Sequence, residues 1–221
     1  MQNLENRDIR QRDIIPPQKL AQCRATVIGV GSIGRQVALQ LAAIGTPSLQ
    51  LIDPDIVAIE NLASQGFLED DLGSAKVHAT ASMCHQINSQ IDIQCEQNRF
   101  RRSGAVGNII FCCVDSIATR RIIWESVGRN AEFFVDGRMS AEVLRVLIAC
   151  DPTSRANYPT TLFAAGEAYR GSCTSKSTIF CANVAAGLMI SAFSNYLRAV
   201  PIDSDLNINL LTNELAIVHS L

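Results

Sequence analysis

Val27-Ile28 runs into Gly29-Val30-Gly31-Ser32-Ile33-Gly34, three glycines whose spacing lets a backbone turn tightly and approach a phosphate. A helix that starts on such a turn favours the phosphate charge at its N-terminus. Leu49-Gln50-Leu51-Ile52 then ends in Asp53-Pro54-Asp55, and a carboxylate at a strand end can accept hydrogen bonds from ribose hydroxyls. On these features alone an NAD-dependent oxidoreductase fits as well as any other nucleotide enzyme. Asp55, Asn61, Gln65 and Gly73-Ser74-Ala75-Lys76 shift the balance towards adenylation chemistry. A dinucleotide needs no lysine just after the second strand, whereas a triphosphate carries oxygens that an ammonium neutralises. Asp115, next after the apolar run Ile109–Val114, offers the oxygen ligand Mg²⁺ prefers when it bridges protein to phosphate. Taken singly, Lys76 also fits a solvated helix residue and Asp115 a helix N-cap.

The elements that must position these residues are legible in the periodicity. Strands are expected over about Ala25–Val30, Leu49–Ile52, Ile91–Cys95, Ile109–Val114, Phe133–Asp136 and Val143–Cys150. Helices are expected over about Ser32–Ile44, Ala75–Asn88 and Ile117–Asn130, the first with Ile33, Val37, Leu41 and Ile44 on one stripe and Gly45 at its end. Alternation of strand and helix through the first 136 residues predicts a Rossmann-like α/β fold, a mostly parallel sheet with helices on both faces. Short strands around Leu206–Leu211 and Leu215–Val218 would extend it as C-terminal antiparallel strands. Ligands of such sheets bind at the carboxyl ends of the strands, where all the motifs fall. Asp151 to Lys176, rich in Pro, Gly, Ser and Thr, reads as the longest loop.

Bulk composition narrows the partners. The 221 residues are 48% hydrophobic with a net charge of −2, which gives no electrostatic case for nucleic acid or an anionic membrane. No two of the eight cysteines form Cys-x-x-Cys, so no zinc site of that spacing is expected. Met1 leads into a polar, arginine-rich stretch, which points to a cytoplasmic protein with reduced thiols. Ser177 to Leu197 is uncharged and long enough to cross a bilayer, but Asn183, Gly187, Ser191, Ser194 and Asn195 fit a core or interface helix better.

In order and spacing these motifs resemble the ThiF/MoeB-type adenylyltransferases, bacterial relatives of ubiquitin-activating enzymes. The resemblance runs from about Arg24 to Arg138 and more loosely to Leu197. Its marks are the glycine turn, Asp53-Pro54-Asp55-Ile56-Val57, Asn61-Leu62-Ala63-Ser64-Gln65, Gly73-Ser74-Ala75-Lys76, and Asp115-Ser116 through Arg120. It implies a single nucleotide-binding domain over 1–221, with an N-terminal arm over 1–23 and a crossover loop over 151–176. It also implies that Gly29, Gly31 and Gly34 approach ATP and that Asp53 takes the ribose. Asn61 and Lys76 would hold phosphates, with Asp55 and Gln65 beside them, and Asp115 would bind Mg²⁺ near the α-phosphate. The implied reaction adenylates the C-terminal carboxylate of a small ubiquitin-like or sulfur-carrier protein, or of a peptide. A homodimer is expected, and in relatives an arginine of the partner subunit's arm reaches the site; Arg7, Arg10 and Arg12 fit, Arg10 and Arg12 best.

The departures matter as much. Ser64 stands where the family has arginine, and Ser116 where it has asparagine. These leave open a non-catalytic family member acting as a structural partner. Cys173 is the one cysteine in an apparently polar loop, and in relatives a thiol of that region takes the activated acyl group as a thioester or persulfide. Cys84, Cys112, Cys113 and Cys181 read as core thiols, and His78, His85 and His219 form no ligand set. Arg138, in Asp136-Gly137-Arg138, fits either a replacement cation or a structural ion pair, and Tyr158 to Phe163 lies where an acceptor could be touched.

Overall fold

The computed structural model describes residues 7–163 and 177–217. A short helix α1 (Pro17–Leu20) leads into β1 (Arg24–Ile28), α2 (Ser32–Ile44), β2 (Ser48–Ile52), α3 (Ile59–Gln65), α4 (Lys76–Ile87) and β3 (Asp92–Glu96). Then come β4 (Ile109–Cys112), α5 (Ile117–Ile123), β5 (Phe133–Ser140), β6 (Val143–Ala149) and α6 (Pro152–Asn157). The chain closes with α7 (Ile179–Arg198), β7 (Asp205–Asn209) and β8 (Glu214–Ile217).

All eight strands join one sheet in the order β3-β2-β1-β4-β5-β6-β7-β8. The first five pair in parallel, and β5 through β8 pair antiparallel. Every residue of β4 and all but the first of β1 is buried, as strands covered on both faces must be. One face carries α2, α4 and α7, whose Val37, Leu41, Val77, Cys84 and Phe193 share a cluster with strand residues. There Phe193 packs edge-on against Phe111, with ring centroids 5.8 Å apart. The other face is covered by α5, the turn that follows it and the segment after α6, through Trp124, Phe134 and Tyr158.

The sheet matches the architecture expected from the sequence, and several boundaries differ for physical reasons. β4 ends at Cys112; the Cys113 amide still donates to the Ile28 carbonyl at 2.8 Å, and the backbone of Cys113 and Val114 then passes close over Gly29. The helix expected over Ile117–Asn130 gives way to a π-turn at Trp124–Gly128; a Cβ at Gly128 would sit 2.5 Å from the Trp124 ring. The first part of 151–176 is α6 and a 3₁₀ turn at Tyr158–Thr161, not loop. Asp151 caps α6 by accepting from the Thr153 and Ser154 amides, with Pro152 at the first helical position. The uncharged stretch after Ser177 is α7, packed on α2, β5 and β6.

Candidate active site

The strand order reverses between β1 and β4: β1 leads to β2 on one side, while β4 lies on the other. The crevice beyond their carboxyl ends is where such sheets bind ligands. Gly29 opens it with φ +88°, and a Cβ there would lie 2.8 Å from the Cys113 backbone. A Cβ at Gly34 would overlap the Gly29 carbonyl, so the third glycine lets α2 pack on the turn. Gly31 differs. Its nearest neighbour would be Gln65 Oε1 at 3.9 Å, so the space above it is open. No side chain caps α2, which leaves its first amides facing that space as anion donors.

Asp53 at the end of β2 is 6% exposed and accepts from the Val30 amide at 2.6 Å and the Asp55 amide at 2.8 Å. It therefore fixes the glycine turn. Burial pushes its carboxyl above the ordinary range, against those two donors and the Lys76 ammonium. Lys76 starts α4, and its Nζ pairs with Asp55 at 3.0 Å; the lysine side chain is 8% exposed and the aspartate 60%. The two motifs are also joined through backbone, Lys76 N–H donating to the Asp55 carbonyl at 3.0 Å. Asn61 Oδ1 accepts from the Ala58 amide at 3.0 Å, so its oxygen caps α3. Gln65 buries an Oε1 that accepts from no group among the described residues. Ser64 turns inward on α3 and donates to the Glu60 carbonyl at 2.9 Å.

Asp115 is exposed at the same edge, between β4 and α5, and among the described residues its carboxylate has no hydrogen-bond partner. Ser116 caps α5 by accepting from the Thr119 amide, a role a serine performs as well as the usual asparagine. Behind Asp115 lies a buried ionic cluster. Arg120 donates to the Val114 carbonyl, pairs with Asp136, and reaches the Gly137 carbonyl at 3.2 Å. Asp136 is fully buried and also accepts from Arg138 Nε at 2.8 Å and Tyr158 Oη at 2.9 Å. Arg138 also donates to Thr161, from Nη1 at 2.9 Å to the carbonyl and from Nη2 at 3.0 Å to Oγ1. Of the two roles the sequence allows Arg138, the ion pair is the one seen.

The sequence gives Arg35 no role, marks Asp136 only as the neighbour of Arg138, and marks Tyr158 only as part of a segment that an acceptor could touch. Asp136 was visible as an acidic residue ending a β-run, but nothing local reveals that two arginines converge on it. Arg35 on α2 is 2% exposed and lays its guanidinium 4.6 Å over the Phe67 ring, tying α2 to the segment after α3. On the arm, Arg7 donates to the Ala42, Ala43 and Ile87 carbonyls at helix ends of its own chain. Arg12 pairs with Asp8 at 3.1 Å, while Arg10 is exposed. Cys173 lies outside the described residues. The other seven cysteines are free thiols, and burial pushes Cys23, Cys150 and Cys181 to about 11 and Cys84 to about 12.

Fold and crevice together define a Rossmann-like α/β domain whose sheet is extended by antiparallel strands. A model of the ThiF family matches residues 5–213, and the chain belongs to that family. It is 31% identical over 112 residues to the sulfur carrier protein ThiS adenylyltransferase of Escherichia coli, a match covering 48% of this chain and 45% of that one. It is 26% identical over 111 residues to the SAMP-activating enzyme E1 of Haloferax volcanii, covering 48% and 41%. These matches span less than half the length of either relative. Among solved structures, E. coli MccB with AMPCPP and MccA superposes with a TM-score of 0.78 at 17% identity, covering 98% of this chain and 72% of MccB.

Proposed function

We propose that the chain is a Mg-ATP-dependent adenylyltransferase that activates the C-terminal carboxylate of a ubiquitin-like or sulfur-carrier protein, or of a peptide. The observation that carries this reading is an α2 N-terminus with no side-chain cap, Lys76 paired with the Asp55 that follows β2, and an exposed Asp115 after β4 whose carboxylate has no hydrogen-bond partner among the described residues. That donor set fits a nucleoside triphosphate with one divalent ion. Mg²⁺ keeps several waters and needs one or two carboxylates plus phosphate oxygens, so a free Asp115 suffices as its protein ligand. Bound there, the ion would shield the phosphate charge.

In the reaction a carboxylate oxygen attacks the α-phosphorus of ATP; the bond to the β-phosphate breaks and pyrophosphate leaves. A carboxylate is a weak nucleophile, so the chain's part is alignment and charge screening. The turn at Gly31 and the α2 amides receive phosphate oxygens, and Asp53 takes the ribose while bracing the turn. Lys76 exchanges part of its contact with exposed Asp55 for a phosphate. Gln65 Oε1 lies beside that space, and Asn61, whose oxygen caps α3, has an amide nitrogen with no acceptor among the described residues to offer a phosphate. A second copy is proposed to complete the site with Arg10, or with Arg12 after release from Asp8. The exposed Ile14, Phe180 and Val184, at 53%, 48% and 37%, support an interface on the arm and α7.

One observation favours a second reading. With Ser64 turned into α3, nothing at that position supplies the family's cation, which suits a non-catalytic partner subunit. Calorimetric titration of Mg-ATP and of NADH separates the possibilities, with sedimentation of the same samples reporting whether the chain pairs. Mg-ATP binding without NADH binding is the expected result. Binding of neither by a folded protein would sink the enzymatic reading, and NADH binding alone would replace it with an oxidoreductase.

A further inference from the structure

We infer that Asp136 is a positioning residue that locks the Asp115 loop and the Tyr158–Leu162 turn into one unit. The function of that unit rests on the adenylyltransferase reading; its existence does not. β5 runs four residues past the point where β4 ends, Cys112 pairing with Asp136, so Gly137 to Ser140 flank the loop carrying Asp115. On that flank one buried carboxylate serves two guanidiniums. Through Arg120 it reaches the Val114 carbonyl, the residue before Asp115. Through Arg138 it reaches both oxygens of Thr161, and directly it accepts from Tyr158.

A second strut runs in parallel, for Arg121, next to Arg120 on α5, donates to the Leu162 carbonyl. Thr161 Oγ1 also donates to the Tyr158 carbonyl at 2.8 Å, closing the turn on itself. The centre of the cluster is sequestered, with Asp136 at 0%, Tyr158 at 1%, Arg120 at 4% and Thr161 at 7% exposure, while Arg138 is half-buried and Arg121 exposed at its edge. Buried groups linked this way move together, because separating any pair strands a charge or donor away from water. The turn ends where the segment towards Cys173 begins.

Removing Asp136 itself would strand two arginines and endanger folding, so the test trims the edges. Tyr158→Phe deletes one hydroxyl and Thr161→Val another, and backbone amide exchange is followed over 113–117 and 158–163. Both variants are expected to speed exchange at 113–117 about tenfold, although neither residue touches that loop. Arg145→Gln, which breaks the Arg145–Asp205 pair at 2.6 Å on β6 and β7, should leave 113–117 unchanged. With a competent acceptor, turnover should fall several-fold while KM for ATP stays within about twofold. Loosening confined to 158–163, with wild-type protection at 113–117 and unchanged turnover, would overturn the inference. Linked exchange in a chain that never adenylates would keep the coupling and discard the proposed reaction.

Discussion

Gly29 and Gly31 stand two residues apart and do different work. Gly29 serves the fold: its φ of +88° and the Cys113 backbone 2.8 Å from a Cβ make Gly29→Ala destabilising by about 2 kcal/mol or more, from left-handed strain plus overlap. Gly31 has negative φ and open space, so Gly31→Ala costs no more than about 1 kcal/mol of stability. Its methyl would instead occupy the approach to the α2 amides. The expected pattern is a thermal midpoint near wild type for Gly31→Ala with at least about tenfold weaker Mg-ATP binding, worth about 1.4 kcal/mol. Gly29→Ala would lose stability first. Equal ATP affinity in wild type and Gly31→Ala would place the phosphates elsewhere.

Elements differ in how clearly the sequence announces them. The run Ser32–Ile44 coincides with α2, because a four-residue apolar stripe closed by a left-handed glycine is an unambiguous signal. Short helices fare worse. α3 and α6 span seven and six residues, too few to show periodicity, and α6 hides within a polar stretch whose Asp151-Pro152 cap was the available cue. That cap yields a prediction. Burial opposes ionisation of Asp151, but donors from Ser154 and Thr153 outweigh it and hold its carboxyl below the usual range. Its stabilising contribution is therefore complete above the ordinary carboxylate pKa and fades as pH falls through the depressed one. Asp151→Ala should cost about 1 kcal/mol at neutral pH by denaturant unfolding, and that difference should shrink in acid. A pH-independent difference would mean the lost contacts are packing, not the charged cap.

At the scale of the whole molecule, parallel order was legible because apolar strands and amphipathic helices alternate through residue 136. The positions of Gly29, Asp53 and Asp115 at one edge follow from that order, since the strands that precede them run the same way, and Lys76 at the start of α4 is joined to that edge through Asp55. What stayed hidden is long-range. The bonds of the Asp136 cluster span up to 23 residues and the parallel Arg121–Leu162 strut 41, and no local pattern encodes which guanidinium meets which carboxylate. The Lys76–Asp55 pair is of the same kind: spacing suggested two phosphate-site residues, whereas folding sets them against each other. Ser64 leaves one question for the entire assembly, whether alignment by the remaining groups suffices for turnover.

Incorporation of labelled pyrophosphate into ATP answers it, using the chain with Mg-ATP and, in turn, E. coli ThiS or the MccA peptide as acceptor. The account predicts exchange that depends on an acceptor with a free C-terminal carboxylate and falls at least about a hundredfold in Asp115→Ala and Lys76→Ala. Exchange by wild type that survives both substitutions would contradict it, because the crevice between β1 and β4 would then not be where adenylation occurs.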